Sequence, residues 1–367
     1  MRSWRPTAQC AGVMAGVLLI GTTAGTAASP ARAAQGLGSP VGPASFLSVP
    51  GDLRGVAVVS ARVAWTVGYN LTSGGNSTPV IGAWNGTRWK QMPVPGLRFA
   101  FLTSVAATSA RDAWAVGTRE IGCGPPVIVH WDGHGWKRVP SHSPGTVSQL
   151  FGVAAASARS TWAVGQTSGN GPLILRWNGR AWKQSPAPHL AGPAELQAVT
   201  VLSARKAWAA GFTEVGVPVI FSWNGRAWKH VPSPNPSPVE GAFLYGVTAL
   251  SARSAWAVGS YLLNGQDKRL ILHWNGTAWH QVPSPGGGNL TSVTAISARD
   301  AWAVGYSGDS SPRAVIMHWN GTAWKNVPPP GGSDLFGVAA TSARNAWAVG
   351  GTPSRTLIIR WNGSAWK

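Results

Sequence analysis

Cysteine and carboxylate are the scarce groups in this chain. Of its 367 residues two are cysteine, Cys10 and Cys123, and eleven are Asp or Glu against thirty Lys and Arg. The eleven acids are scattered and form no close pair in sequence. That weighs against a glycoside hydrolase, which needs two carboxyl groups flanking one glycosidic bond. Charged residues of both signs reach only 11%, while Gly numbers 47 and Pro 28. Such a mixture argues against coiled coils and for many short strands joined by tight turns.

The first 34 residues differ from the rest. Arg2 and Arg5 precede an apolar run from Ala11 to Ala24, and Ala31-Arg32-Ala33 follows as a small-residue cleavage pattern. This is the layout of a secretory signal peptide over residues 1–34, with a linker over 35–45 and a folded region over 46–367. The run is too short and too rich in Gly and Thr for a membrane span, and no second one occurs. The mature chain is therefore expected to be secreted, extracellular or cell-wall associated, with no transmembrane segment. Cleavage removes Cys10, which leaves Cys123 without an intramolecular partner. It also removes Arg2, Arg5 and Arg32, so the formal charge falls from +19 to +16.

What the sequence has in abundance is tryptophan, 22 in all. Three phrases organise them. Ser-Ala-Arg-x-x-Trp-x-x-Gly places Trp65, Trp114, Trp162, Trp208, Trp256, Trp302 and Trp347 at intervals of 45 to 49 residues. Trp-(Asn/Asp)-Gly-x-x-Trp adds a pair to each repeat, from Trp84/Trp89 to Trp361/Trp366, and a Val-Pro-Ser-Pro phrase often trails it. Seven repeats of three account for every tryptophan except Trp4.

Each repeat reads as four strands, a to d. Strand a is small and alternating, as in Leu290–Ile296; Ser-Ala-Arg turns the chain into strand b, as in Ala301–Val304. Strand c, as in Leu173–Trp177, is expected to meet strand d through a type I′ turn at Asn178-Gly179. Strands b and c are apolar on both faces, which suits a sheet covered on both sides. A repeat of this length that cannot bury itself alone predicts a seven-bladed β-propeller, all-β, with four-stranded antiparallel blades. A solenoid would want atypical capping repeats, and none is visible. Repeat seven stops at Trp366-Lys367, whereas Phe46–Pro50 mimics Trp324–Pro328. The expectation is that residues 46–50 join the last blade beside Leu357–Trp361, so that the chain termini close the ring.

In these phrases the sequence resembles the secreted actinobacterial β-propeller repeat proteins with Trp-Ala-Val-Gly and His-Trp-Asn-Gly-x-x-Trp repeats. The resemblance covers nearly all of 46–367 and implies an architecture but no activity. The paired glycines of kelch repeats are missing. Galactose oxidase also invites comparison, but no motif around Tyr69, Tyr245, Tyr261 or Tyr306 matches its copper site. The WD dipeptide of WD40 repeats occurs only as Trp131-Asp132, a variant of the Trp-Asn-Gly turn.

Candidate sites are few. His130, His273 and His318 precede the strand-c tryptophan, but other repeats have Ala83, Arg176, Ser222 or Arg360 there, so a metal set is not expected. Cys123 lies in a Gly- and Pro-rich loop with no catalytic motif around it. No cofactor, metal or catalytic residue is expected. The periodic cations carry more information. Arg62, Arg111, Arg159, Arg205, Arg253, Arg299 and Arg344 occupy the a–b turn of every repeat, a candidate anion-binding ring around the channel mouth. The bland alternative is that each guanidinium stacks on a tryptophan or bonds its own turn. Lys90, Lys137, Lys183, Lys229, Lys325 and Lys367 repeat on strand d. A non-catalytic monomeric propeller that binds an anionic polysaccharide, envelope polymer or protein ligand is the expectation. A lectin-like propeller or a propeller enzyme (glycoside hydrolase, lyase or oxidase) are the alternatives. Nucleic acid fits poorly with export and with the lack of a recognition motif. The a–b and c–d turns barely vary between repeats, whereas the b–c and d–a loops differ greatly. A specific ligand is therefore expected on the loop face near the axis.

Overall fold

The computed structural model describes residues 47, 50–71, 77–119, 124–141, 148–167, 171–308, 313–331, 333–352 and 355–367. The expected signal segment, the linker, Cys123 and residues 46, 48 and 49 lie outside them.

Twenty-seven strands form the described region. Blade 1 consists of β1 (Gly51–Ser60), β2 (Val63–Leu71), β3 (Ser77–Trp84) and β4 (Trp89–Gln91). Blade 2 has β5 (Ala100–Ser109), β6 (Asp112–Arg119), β7 (Pro126–Trp131) and β8 (Trp136–Arg138). Blade 3 has β9 (Ser148–Ser157), β10 (Ser160–Thr167), β11 (Pro172–Trp177) and β12 (Trp182–Gln184). Blade 4 has β13 (Ala194–Ser203), β14 (Lys206–Thr213), β15 (Pro218–Trp223) and β16 (Trp228–His230). Blade 5 has β17 (Ala242–Ser251), β18 (Ser254–Leu263), β19 (Gln266–Trp274) and β20 (Trp279–Gln281). Blade 6 has β21 (Asn289–Ser297), β22 (Asp300–Tyr306), β23 (Ala314–Trp319) and β24 (Trp324–Val327). Blade 7 has β25 (Asp334–Ser342), β26 (Asn345–Thr352) and β27 (Arg355–Trp361). Every blade is an antiparallel meander, as the repeat predicts. Blade 7 completes its outer edge with the last residues of the chain. Trp366 bridges Trp361, and Lys367 and Arg360 exchange backbone hydrogen bonds of 2.8 and 3.0 Å. At the C-terminal end of the blade's second strand the short pairing Gly51↔Thr352 and Asp52↔Gly351 joins β1 to β26. Leu47 is buried among Leu53, Trp84, Trp347 and Ile358, and its carbonyl accepts a 2.9 Å hydrogen bond from Thr356 Oγ1 on β27.

The tryptophans explain how the blades stay together. The strand-b indole of each blade packs on the strand-c and strand-d indoles of the next. Trp208, for example, lies 5.0 Å from Trp274 and 5.3 Å from Trp279, the latter near-perpendicular. Perpendicular indoles put the electropositive edge of one ring on the electronegative face of the other. All seven junctions share this geometry, including Trp347 on Trp84 and Trp89, which joins blade 7 to blade 1.

The glycine that ends each Trp-x-x-Gly phrase has a separate task. A methyl group at Gly68, Gly117, Gly165, Gly211, Gly259, Gly305 or Gly350 would lie 1.8–1.9 Å from a strand-a carbonyl oxygen. The close approach accompanies a one-residue bulge opposite it in strand a, at Arg54, Thr103, Phe151, Gln197, Tyr245, Thr291 and Phe336. A bulge re-aims a side chain, and all seven bulged residues line the axial cavity.

The c–d turn differs from expectation. Gly179 has φ 94°, but Asn178 does not enter positive φ, so the turn is not type I′. It is a four-residue loop in which Asn178 Oδ1 accepts 2.9 Å hydrogen bonds from the backbone N–H groups of Arg180 and Ala181. The side chain supplies the turn's acceptor, an Asx turn. A turn with two consecutive positive φ values does occur, at Asn264-Gly265 between β18 and β19.

Trp208 is 1% exposed. Replacing it with Ala should cost about 3–5 kcal/mol, as for a buried aromatic truncated to Ala. Urea denaturation of the two proteins measures this, and an unchanged midpoint contradicts a structural role.

Candidate functional site

The antiparallel meander puts the a–b and c–d turns on one face and the b–c and d–a loops on the other. The two faces differ in chemistry.

On the turn face all seven ring arginines are exposed. Each aliphatic stem lies over the glycine of its own blade's c–d turn, as Arg205 does over Gly225 and Arg344 over Gly363. Each arginine's backbone N–H is bonded to the serine hydroxyl of the same turn, at 3.1 to 3.4 Å. The strand-c tryptophan completes the unit by donating its indole N–H to the alanine carbonyl of that turn, at 3.0 to 3.1 Å in all seven blades. The backbone at each arginine is thus fixed. No guanidinium of the seven makes an ion pair with a described residue. Arginines do stack on tryptophans here, but they are others: Arg176 over Trp162 and Arg360 over Trp347.

The surrounding charge is lopsided. Besides the seven arginines and the six strand-d lysines, this end of the blades carries Arg88, Arg138, Arg176, Arg180, Lys206, Arg226 and Arg360. Twenty cations face three carboxylates, Asp112, Asp132 and Asp300. All three are engaged. Asp132 pairs with Lys137 at 2.5 Å, and this hydrogen bond, with two from backbone N–H groups, holds its carboxyl well below the usual range. Asp112 binds His130 at 2.7 Å and Asp300 binds His318 at 2.9 Å. Both imidazoles also stack on their own blade's strand-b tryptophan, 4.1 Å from Trp114 and 4.2 Å from Trp302. His273 also covers Trp256, at 4.3 Å with the rings tilted by 40°. The three histidines are therefore caps on the tryptophan junctions in separate blades, and no described group of His, Cys, Asp and Glu is placed to hold a metal. A sequence signal for the His–Asp pairs existed: only the repeats with Asp after Ser-Ala-Arg have this partner, and both of them have His before the strand-c tryptophan.

The loop face surrounds the axial cavity, about 220 Å³ and lined by the innermost strand of every blade. Its polarity is mixed. Arg54 bonds Asp52 at 3.1 Å and the Tyr69 hydroxyl at 2.7 Å, and its guanidinium lies 3.9 Å from the centre of the Phe336 ring. Across the axis stand Phe151, Gln197 and Tyr245. Glu195, beside Gln197, is the most strongly raised carboxyl. Burial pushes it up to about 7 and the charge of Glu214 adds to this, against a 2.9 Å hydrogen bond from Gln197. Burial also raises Asp334, with Asp52 adding to the shift and Arg54 opposing it. The sequence offers no signal for these shifts, because they depend on which loops cover the start of strand a. Among the described residues no helix is long and apolar enough to cross a membrane.

No family model and no curated protein matches the chain. Solved structures do. The structure titled "YCF48 bound to D1 peptide" superposes with a TM-score of 0.59 at 16% identity, over 86% of this chain and 94% of that one. "YCF48 from Cyanidioschyzon merolae" gives 0.57 at 14%, over 88% and 98%. The WD40 β-propeller domain of Doa1 gives 0.56 at 13%, over 84% and 92%. At such identities the likeness concerns the fold, and the chain is a β-propeller.

Glu195 yields a pH prediction. Between the ordinary carboxyl value of 4.5 and about 7, the native chain keeps a proton that the unfolded chain has lost. Its contribution to stability is therefore greatest below 4.5, falls as pH rises to about 7 and is flat above that. Glu195→Gln should match the wild type in melting temperature near pH 4.5 and exceed it increasingly up to pH 7. A gap that is constant with pH contradicts the shift.

Proposed function

We propose that this is a non-catalytic binding propeller, exported from the cell, whose turn face holds an anionic polymer of the cell envelope or its surroundings. One observation carries the reading: twenty of the chain's cations gather at one end of the blades with only three carboxylates. Stability of the fold does not call for this, since the turns are already secured by Ser, Trp and Asn side chains. Seven equivalent arginines at fixed backbone positions offer regularly spaced cations, which match a ligand with regularly spaced anions. A face of this kind attracts by field as well as by contact, so binding should weaken steeply as salt shortens the screening length. A propeller with a bound peptide is known among the structural relatives, in "YCF48 bound to D1 peptide". It supports binding as the general task of this scaffold, with the ligand here argued from charge.

The two chain ends have a part in this proposal. Leu47 and Trp366-Lys367 both meet β27, and we take them to close the ring on which the seven arginines are arranged. Deleting residues 35–50 should lower the melting temperature, and an unchanged one contradicts closure through this segment.

The binding test compares a sulfated polysaccharide, a polyglutamate and neutral dextran at two salt concentrations. The two polyanions should bind, more weakly at the higher salt, and dextran should not. Replacing Arg205, Arg253 and Arg299 together with Ala should weaken polyanion binding roughly 3- to 150-fold, from about 0.2–1 kcal/mol for each exposed contact. The melting temperature should stay near the wild-type value. Salt-independent binding of dextran, or full polyanion affinity in the triple variant, contradicts the proposal.

A further inference from the structure

The exposed large apolar side chains of the described residues all lie on the loop face: Leu71, Phe99, Val215, Val217, Val239 and Leu263. Four of them fall in blades 4 and 5. Val215 is 79% exposed and Val239 94%. Isolated exposed valines are ordinary, but grouped ones rimmed by charge mark interaction surfaces.

These four belong to one hydrogen-bonded platform. Ala242 N–H donates to Gly216 O at 2.8 Å, which ties the β14–β15 turn to the link between the two blades. Leu262 N–H donates to Gly241 O at 3.0 Å, which ties that link to the β18–β19 hairpin. The Glu240 carboxylate then accepts from the backbone N–H groups of Asn264 and Gly265, at 2.9 and 2.8 Å. Beneath lie Phe212, Phe243 and Tyr245, with the Phe212 ring centre 5.0 Å from that of Phe243 and 5.7 Å from that of Tyr245. The last of these reaches the axial cavity. Loops held this way lose little freedom on binding.

The charge of this sector is opposite to that of the rest. Between residues 192 and 266 the chain has Arg205, Lys206, Arg226, Lys229, His230 and Arg253, and all are in the turns, strand ends or strand d of the other face. The loop face receives Glu214 and Glu240 from the same stretch and no Lys, Arg or His. Glu195, which burial keeps protonated up to about 7, adds little charge. The far strand of the β18–β19 hairpin adds Asp267, Lys268 and Arg269, the last buried and bonded to Pro285 O and Asn326 Oδ1. In a chain of formal charge +19, this is a local anionic and apolar surface.

We propose that the blade 4–5 sector of the loop face docks a basic segment of a partner protein, in which an aliphatic or aromatic anchor covers Val215 and Val239 and flanking Lys or Arg meet Glu214 and Glu240. Charge complementarity selects such a segment and steers its approach. A second copy of this chain fits less well. Its turn face is cationic, but among the described residues that face exposes no large apolar side chain to serve as the anchor. The inference is independent of the polyanion reading, since it concerns the opposite face.

The test uses a random library of short displayed peptides, selected on the full mature chain. Val215→Lys/Val239→Lys serves for counter-selection. Both side chains are exposed, so this variant should keep its melting temperature and its polyanion affinity. Recovered peptides should combine Lys or Arg with large apolar residues. They should bind the double variant at least tenfold more weakly, and Glu214→Gln about two- to fivefold more weakly. Their amide-exchange footprint should fall on residues 213–217, 237–243 and 262–265. Failure to recover any peptide, acidic consensus sequences, equal affinity for the double variant, or a footprint on the turn face overturns the proposal. So does a wild-type dimer that the double variant abolishes, because the occupant is then a second copy.

Discussion

Everything else in this molecule depends on the indole-on-indole junction between successive blades. A four-stranded sheet with apolar residues on both faces has no stable existence alone, so each blade requires a neighbour on either side. The strand-b tryptophan supplies the join by packing on the paired indoles of the next blade, with one contact tilted and one near-perpendicular. The paired indoles are in turn positioned by the c–d turn of their own blade, where an Asn or Asp side chain satisfies two backbone N–H groups. One of the pair also reaches back to hold the a–b turn by its alanine carbonyl. A single set of side chains therefore fixes the inter-blade angle, the local hairpin and the position of the arginine. The strand-b and strand-d indole N–H groups meet no protein hydrogen-bond acceptor, so at the junctions these indoles contribute through ring contact.

That economy separates the two ends of the blades. At the turn end the sequence has little freedom, because Ser, Ala, Arg, Trp, Asn and Gly each have a contact to make. The arginine is the exception within the motif, since its guanidinium is exposed while its stem and backbone are engaged. At the loop end none of these constraints applies. There the seven repeats diverge into an Arg–Asp–Tyr cluster in blade 1, a buried glutamate in blade 4 and an apolar platform across blades 4 and 5. Conserved geometry at one end and chemical variety at the other suit a scaffold that holds one ligand class through repetition and another through local difference.

Much of the fold was legible because the spacing of tryptophan is a direct record of blade geometry. The two-sided apolar character of strands b and c, the small residues of strand a and the Ser-Ala-Arg turns all appear where the repeat places them. The type I′ expectation at Asn178-Gly179 failed because side-chain capture of backbone N–H groups competes with the two-residue turn, and the dipeptide alone does not reveal which prevails. The bulges were hidden because they depend on a close approach between Gly68 or its equivalents and a carbonyl on another strand. The site was legible by half. The arginine positions follow from the repeat, but the charge imbalance around them emerges only when topology assigns each Lys, Asp and Glu to an end of its blade. The His130–Asp112 and His318–Asp300 pairs were visible in outline as co-occurring residues, and their role as covers over tryptophan required the packing.

The central claim is that the two faces bind by different physics, with the polyanion confined to the turns. Amide hydrogen exchange with and without a bound sulfated oligosaccharide tests it most directly. The account predicts slower exchange in the a–b and c–d turns of several adjacent blades, around Arg205, Arg253 and Arg299, and no change in residues 213–217 or 237–243. Protection centred on the loop face, with the turns unaffected, would contradict it.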